Sequence, residues 1–88
     1  MENNMDFENI KVDSRATFID FLKCFRRDFA ENKDNWENNN LAYFLEALES
    51  YAEDIDGYYQ NLGESEENAD EATWKRFADI LKGARIYE

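Results

Sequence analysis

Histidine and proline are absent from the 88-residue sequence, and cysteine occurs once, as Cys24. The lack of histidine removes the commonest general base and the commonest metal ligand of proteins. A lone cysteine without histidine cannot form a Cys–His nucleophile pair, and the three glycines form no phosphate-binding loop. We therefore expect no catalytic residues, no metal and no cofactor, although the abundant carboxylates leave a two-carboxylate hydrolase open by residue type.

Long apolar runs are also missing. No segment approaches the roughly 18 apolar residues that a membrane-spanning helix needs, and the polar, acidic N-terminus is unlike a signal peptide. A small secreted domain would usually carry paired cysteines, whereas Cys24 has no possible partner within the chain. The sequence thus predicts a single domain over residues 1–88, located in the cytoplasm, with export by another route left open.

Basic residues are missing from the middle of the chain. The formal net charge is −11, and residues 34–74 contain twelve acids but no lysine or arginine. By contrast, residues 1–33 hold seven acids and six bases. Because this acidic segment would repel phosphates, we expect no direct binding of nucleic acid. A basic protein is its natural complement.

Aromatic residues are plentiful, and the spacing of the apolar residues predicts three helices. The first helix should cover residues 15–31, with Ser14 as its N-cap. We expect Cys24 at the edge of its polar face and Phe21 beside its apolar face. The apolar face is formed, at helical spacing, by Phe18, Leu22, Phe25 and Phe29.

The second predicted helix covers residues 41–54, is capped by Asn40 and ends through Gly57 in a left-handed turn. Its apolar stripe comprises Leu41, Phe44, Leu45, Leu48, Tyr51 and Ile55. The third predicted helix covers residues 72–86. Its stripe comprises Trp74, Phe77, Ala78, Leu81 and Ala84 or Arg85. Apolar stripes on three helices indicate an all-α fold, a compact three-helix bundle.

The remaining segments have different compositions. Residues 1–13 are a polar lead-in that we expect to be extended or frayed, with a short strand as the alternative. The Asn-rich link over residues 32–40 contains Trp36, which is expected to cover the core or else to be an exposed recognition residue. Residues 56–72 are predicted to form a long acidic loop, and loops of that length are functional or mobile.

The run Asp54-Ile55-Asp56-Gly57 resembles part of an EF-hand calcium loop. If Gly57 takes the sixth position, Ala52 and Gly63 fall at the first and last positions, where oxygen ligands are required. The motif fails, so we predict a helix end and turn at this run instead.

The strongest functional feature is an acidic face on the second predicted helix. Its glutamates lie opposite the apolar stripe, and a surface that serves solubility alone usually mixes both signs of charge. We therefore predict a docking surface for a basic protein, with a merely solvated helix face as the alternative. The predicted partner-binding residues are Glu46, Glu49, Glu53, Asp54, Asp56, Tyr58 and Tyr59.

Several short motifs extend through the chain from about Val12. They are Trp36-Glu37-Asn38, Phe44-Leu45-Glu46-Ala47-Leu48, Asp56-Gly57-Tyr58-Tyr59, Trp74 with Phe77-Ala78-Asp79-Ile80-Leu81, and the ending Tyr87-Glu88. In these motifs the sequence resembles an uncharacterised family of small acidic bacterial proteins. The resemblance implies a bacterial origin and suits the small acidic proteins of toxin–immunity sets.

A second, local resemblance concerns Asn40-Leu41 followed by Glu46-Ala47-Leu48. This stretch is similar to the opening of the inhibitory helix in barstar-type inhibitors, which are acidic proteins that block a secreted ribonuclease. Glu46 would fall where those inhibitors place an acid in the nuclease site. The sequence departs from their pattern at Ala42, where they have an acid, and lacks their apolar strands. The resemblance implies that an acidic helix can occupy a basic site.

The leading functional hypothesis is a non-catalytic module that binds a basic protein. Its most concrete form is an immunity or inhibitor protein that neutralises a basic toxin or nuclease. The alternatives are a structural or homo-oligomeric helical domain, and a nucleic-acid mimic that occupies DNA-binding enzymes.

Overall fold

The computed structural model describes residues 6–61, 63 and 70–87. This part of the chain contains three α-helices, α1 (Arg15–Asn32), α2 (Leu41–Asn61) and α3 (Trp74–Ala84), and short 3-10 turns at Phe7–Asn9 and Lys33–Asn35. No strand occurs among the described residues. The prediction of an all-α three-helix bundle is confirmed.

Helix α1 begins where its local sequence predicts. The Ser14 hydroxyl accepts a hydrogen bond from the Thr17 backbone N–H at 3.2 Å, and the Thr17 hydroxyl accepts one from the Ser14 N–H at 3.0 Å. This reciprocal capping satisfies backbone donors that a helix start otherwise leaves free. The helix ends at Asn32, one residue beyond the predicted end.

The core on α1 is centred on Phe21, which is fully buried, rather than on the predicted face through Leu22, which is exposed. The reason lies in the lead-in: Phe7 is buried with its ring 6.0 Å from that of Phe21 and 5.1 Å from that of Phe25. A 3-10 turn at Phe7–Asn9 replaces the predicted extended or frayed conformation there. Residues 1–5 of the lead-in lie outside the described residues.

Trp36 covers the core, as predicted. Its ring lies 4.8 Å from that of Phe25 and 6.0 Å from that of Phe44, and its indole Nε1–H donates to Asp28 Oδ2 at 2.7 Å. Among the described residues, α1 and α2 nowhere approach within 8 Å between Cα atoms. Trp36 therefore fills the space between these two helices.

The prediction that α2 ends through Gly57 is wrong, because the helix continues to Asn61. The extra turn places Tyr59 four residues after Ile55 on the buried face, and both side chains are buried. A glycine inside a helix costs about 1 kcal/mol relative to alanine, whereas burial of an aromatic side chain contributes about 2–3 kcal/mol. Tertiary packing thus outweighs the local preference of Gly57 to end the helix.

The predicted acidic loop is correspondingly shorter, since residues 56–61 belong to α2. Its glutamates Glu64, Glu66 and Glu67 lie outside the described residues. Helix α3 then begins at Trp74, where the Thr73 side chain accepts from the Arg76 backbone N–H at 3.1 Å. It is two residues shorter at each end than the predicted span of 72–86.

Helix α3 lies between the other two helices. On one side, the Phe18 ring of α1 is 5.4 Å from Trp74 and 6.4 Å from Phe77. On the other side, Tyr51 of α2 packs directly on Gly83, where a Cβ atom would overlap its ring. Trp74 and Phe77 are partly exposed, and the buried centre of the predicted stripe is Ala78.

The two helical glycines should respond oppositely to alanine. Gly57 has nothing within 4 Å of an added Cβ, so Gly57→Ala should raise the free energy of unfolding by about 0.5–1 kcal/mol. Gly83→Ala should lower it by about 1–3 kcal/mol through overpacking against Tyr51. Urea denaturation followed by far-UV circular dichroism measures both changes. A Gly83→Ala protein as stable as the parent would contradict the packing of Tyr51 on α3.

Candidate protein-binding surface

Four of the predicted partner-binding residues form one exposed row along α2. Glu46, Glu49, Glu53 and Asp56 are all exposed, and their spacing of three, four and three residues places them on one helical face. We call this row the acidic ridge. Within the described part of the chain, no lysine or arginine forms an ion pair with it. The ridge therefore presents about 15 Å of uncompensated negative charge.

Asp54 and Tyr58 lie on a different flank of α2, beside the C-terminal residues. The Tyr87 hydroxyl donates a hydrogen bond to Asp54 Oδ2, and this bond raises the pKa of Tyr87. The Tyr51 ring lies 5.6 Å from that of Tyr58 and 5.1 Å from that of Tyr87. Asp54 thus holds the C-terminal segment, and the structure separates it from the ridge.

Tyr59 is only 1% exposed, so it offers no surface to a partner and is corrected to a core residue. Its hydroxyl donates to Asp79 Oδ2 at 2.7 Å, and the Lys75 ammonium and Arg76 guanidinium each lie 5.1 Å from its ring centre. Burial, followed by the hydrogen bond to Asp79, raises the pKa of Tyr59. Its position fixes α2 against α3.

An apolar surface at the start of α2 was not predicted from the sequence. Leu41 is 72% exposed and Leu45 is 51% exposed, although both were predicted to lie in the core. Helix α2 has 21 residues and α3 has 11, so α2 is about 15 Å longer. Because Tyr51 already lies opposite Gly83 near the end of α3, the first turns of α2 extend past that end. Because α2 was predicted to have only fourteen residues, its extension past the end of α3 was not expected.

A groove of about 330 Å³ lies next to these leucines, between α1 and α2. Its lining is almost entirely apolar and consists of Phe25, Phe29, Trp36, Leu41 and Phe44, with Asn38, Asn39 and Asn40. One of these amides, Asn40 Oδ1, also caps α2 by accepting from the Tyr43 N–H at 2.9 Å, as predicted. The groove and the acidic ridge therefore lie on the same helix.

A second cavity, of about 710 Å³, lies between residues 10–13 of the lead-in and α3. One carboxylate of its lining, Asp79, accepts from Tyr59 and from Lys75 Nζ at 2.9 Å, and Lys82 Nζ lies 3.6 Å away. The hydrogen bond between Tyr59 and Asp79 joins α2 to α3, and both lysines pair with Asp79 within α3, so these groups of the cavity are engaged in the fold.

Other candidate chemistry is limited. Cys24 is partly buried, and the Arg27 guanidinium donates to its sulfur at 3.4 Å. Asp54, Asp56 and Gly57 lie inside α2, which corrects the predicted helix end and turn at the EF-hand-like run. Across residues 6–61, 63 and 70–87, no three His, Cys, Asp or Glu side chains are placed to hold a metal ion.

Alkaline pH should destabilise the fold through its buried tyrosines. Burial raises the pKa of Tyr51 and Tyr59 above the ordinary value of about 10. Above that pH the unfolded chain has lost protons that the native state retains, so stability falls as pH rises. The expected slope is up to about 1.4 kcal/mol per pH unit for each tyrosine.

Urea denaturation between neutral pH and about pH 11 tests this dependence. Tyr59→Phe should reduce the slope of unfolding free energy against pH by the contribution of about one proton. Tyr43→Phe, at an exposed tyrosine of the same helix, is the control and should leave that slope unchanged. An unchanged slope in the Tyr59→Phe protein would show that Tyr59 ionises freely in the native state.

No helix among the described residues combines the length and apolar character needed to cross a membrane.

Comparison with known proteins gives a family but no function. A family model described as a family of unknown function (DUF7660) matches residues 14–88. No curated protein and no solved structure matches the chain.

Proposed function

We propose a function for this chain, which belongs to the DUF7660 family over residues 14–88. In this proposal the chain is a non-catalytic module that binds a basic protein through the solvent-exposed face of α2. The observation that carries the proposal is the acidic ridge. Its four carboxylates are exposed on one helix and form no ion pair with a lysine or arginine in the described part of the chain. Solubility alone does not require such segregation of charge.

The most concrete form of this function is an immunity or inhibitor protein of bacterial origin that neutralises a basic toxin or nuclease in the cytoplasm. Two features support it. Glu46, which the local resemblance to barstar-type inhibitors would place at their inhibitory acid, is exposed on α2. Asn40 caps the same helix, which fixes the direction of its first turn. A preorganised helix loses little conformational entropy on binding, which favours tight inhibition.

Charge reversal on the ridge tests the proposal. Glu46→Lys, Glu49→Lys and Glu53→Lys, combined in one bait, should lose the basic protein that the native bait retains from a lysate of the source cells. Retention by the native bait should fall steeply with added salt, because exposed charges are screened over about 8–10 Å at physiological ionic strength. Mass spectrometry of the eluted proteins at low and high salt measures both effects.

A matched bait separates the ridge from net charge. Asp20→Lys, Glu31→Lys and Glu37→Lys change the net charge by the same amount at exposed positions outside α2, and this bait should retain the partner. If all three baits retain the same proteins, or if retention by the native bait is the same at low and high salt, the ridge is only a solvated helix face.

A homo-oligomeric domain is the second candidate, and a different surface favours it. Trp74 and Phe77 are exposed apolar residues of α3 beside Phe18 of α1, and α1 itself exposes Ile19 and Leu22. Exposed apolar patches often mark protein interfaces. Burial of this patch between two copies would explain it without any basic partner.

The mass measured by light scattering over a wide concentration range decides this candidate. A dimer that dissociates on dilution, and that Phe77→Ser converts to monomer, would support it. A strict monomer at high concentration contradicts it. Because Phe77 is 42% exposed but also packs against Phe18, far-UV circular dichroism must show native helical content in the Phe77→Ser protein.

A further inference from the structure

The groove between α1 and α2 has the size and lining of a site for apolar side chains. Its floor is Trp36, whose ring lies 4.8 Å from Phe25, 5.0 Å from Phe29 and 6.0 Å from Phe44. With a volume of about 330 Å³, it has room for roughly one or two large apolar side chains, at the small end of the range for binding pockets.

The groove opens onto apolar surface that the fold leaves uncovered. Leu41 is part of its lining and is 72% exposed, and Leu45 follows one turn later. In the described part of the chain, no Cα atom of α1 lies within 8 Å of one of α2, and Leu41 and Leu45 remain exposed. Contact with another molecule would remove both leucines from water, which is favourable at roughly 25 cal/mol per Å².

Charge on the same helix defines the chemistry of the occupant. Glu46 follows Leu45 directly, and Glu49 lies one turn further along α2. A segment that fills the groove and continues along α2 therefore meets apolar side chains first and carboxylates next. The complement is a helix with an apolar face and a row of lysine or arginine.

We infer that the groove anchors an amphipathic, basic helix of a partner protein, with an apolar side chain inserted against Trp36 and basic side chains on the acidic ridge. This inference rests on the proposed function and specifies the segment that α2 recognises. A second copy of this chain suits the groove less well, since pairing α2 with α2 would oppose two acidic ridges.

Fluorescence of Trp36 provides a direct readout. Trp74→Phe leaves Trp36 as the single tryptophan, and Trp36 forms the groove floor. The probes are two synthetic helical peptides of about 18 residues, or five turns. Both carry the same number of lysines, and one has leucine where the other has alanine on its apolar face.

At about 150 mM salt, the leucine peptide should shift the Trp36 emission and bind about tenfold more tightly than the alanine peptide. Leu41→Ser with Leu45→Ser should abolish this difference. Tyr43→Ser is the matched control, because Tyr43 is 58% exposed on the same helix but outside the groove lining. It should leave the preference intact.

The two proposals fail in different ways. Equal affinity for both peptides, with unchanged Trp36 emission, overturns the groove while leaving the ridge as the binding surface. Glu46→Gln, Glu49→Gln and Glu53→Gln should weaken both peptides alike. If neither peptide binds, or if that triple variant binds both as well as the parent does, the ridge and the groove are both rejected.

Discussion

The contact of Trp36 with two helices is the interaction on which the rest of the structure depends. In the described part of the chain, no Cα atom of α1 lies within 8 Å of one of α2, so apart from their shared packing on α3 the two helices are joined by the Trp36 ring between Phe25 and Phe44. The hydrogen bond from Nε1 to Asp28 fixes how that ring lies. A buried indole N–H without an acceptor would cost about 1–3 kcal/mol, so Asp28 favours one orientation of the ring.

The same link also holds the end of α3. The Asn38 side chain donates to the Ala84 and Tyr87 carbonyls at 2.9 and 2.7 Å, and its backbone N–H donates to the Arg85 carbonyl at 3.0 Å. These bonds satisfy carbonyls that a helix end leaves without partners. Because residues 36–38 contact all three helices, a short Asn-rich segment determines both the bundle and the groove beside it.

The sequence predicts what is decided locally and misses what depends on the length of a neighbour. Ser14 and Asn40 start their helices as predicted, since capping needs only a few adjacent residues. The end of α2 was mispredicted because Tyr59 finds its place on α3 through contacts distant in sequence. Likewise, periodicity predicts that Leu41 and Leu45 share a face with Ile55, but not that α3 ends before it can cover them. The exposure of the ridge glutamates could be predicted from helical spacing. The groove could not be predicted in this way, because it depends on where α1 and α2 lie relative to each other.

In the proposed complex, the charge and the apolar surface of α2 would act over different distances. Under the proposed function, the ridge would act over a Debye length and so affect the rate and orientation of encounter with a basic protein. The leucines and the groove act only on contact, where desolvated apolar anchors usually determine how long a complex lasts. Exposed leucines would normally favour self-association, but a net charge of −11 opposes it between identical chains. The charge that would attract the proposed basic partner thus also opposes burial of the apolar surface between two copies of the chain.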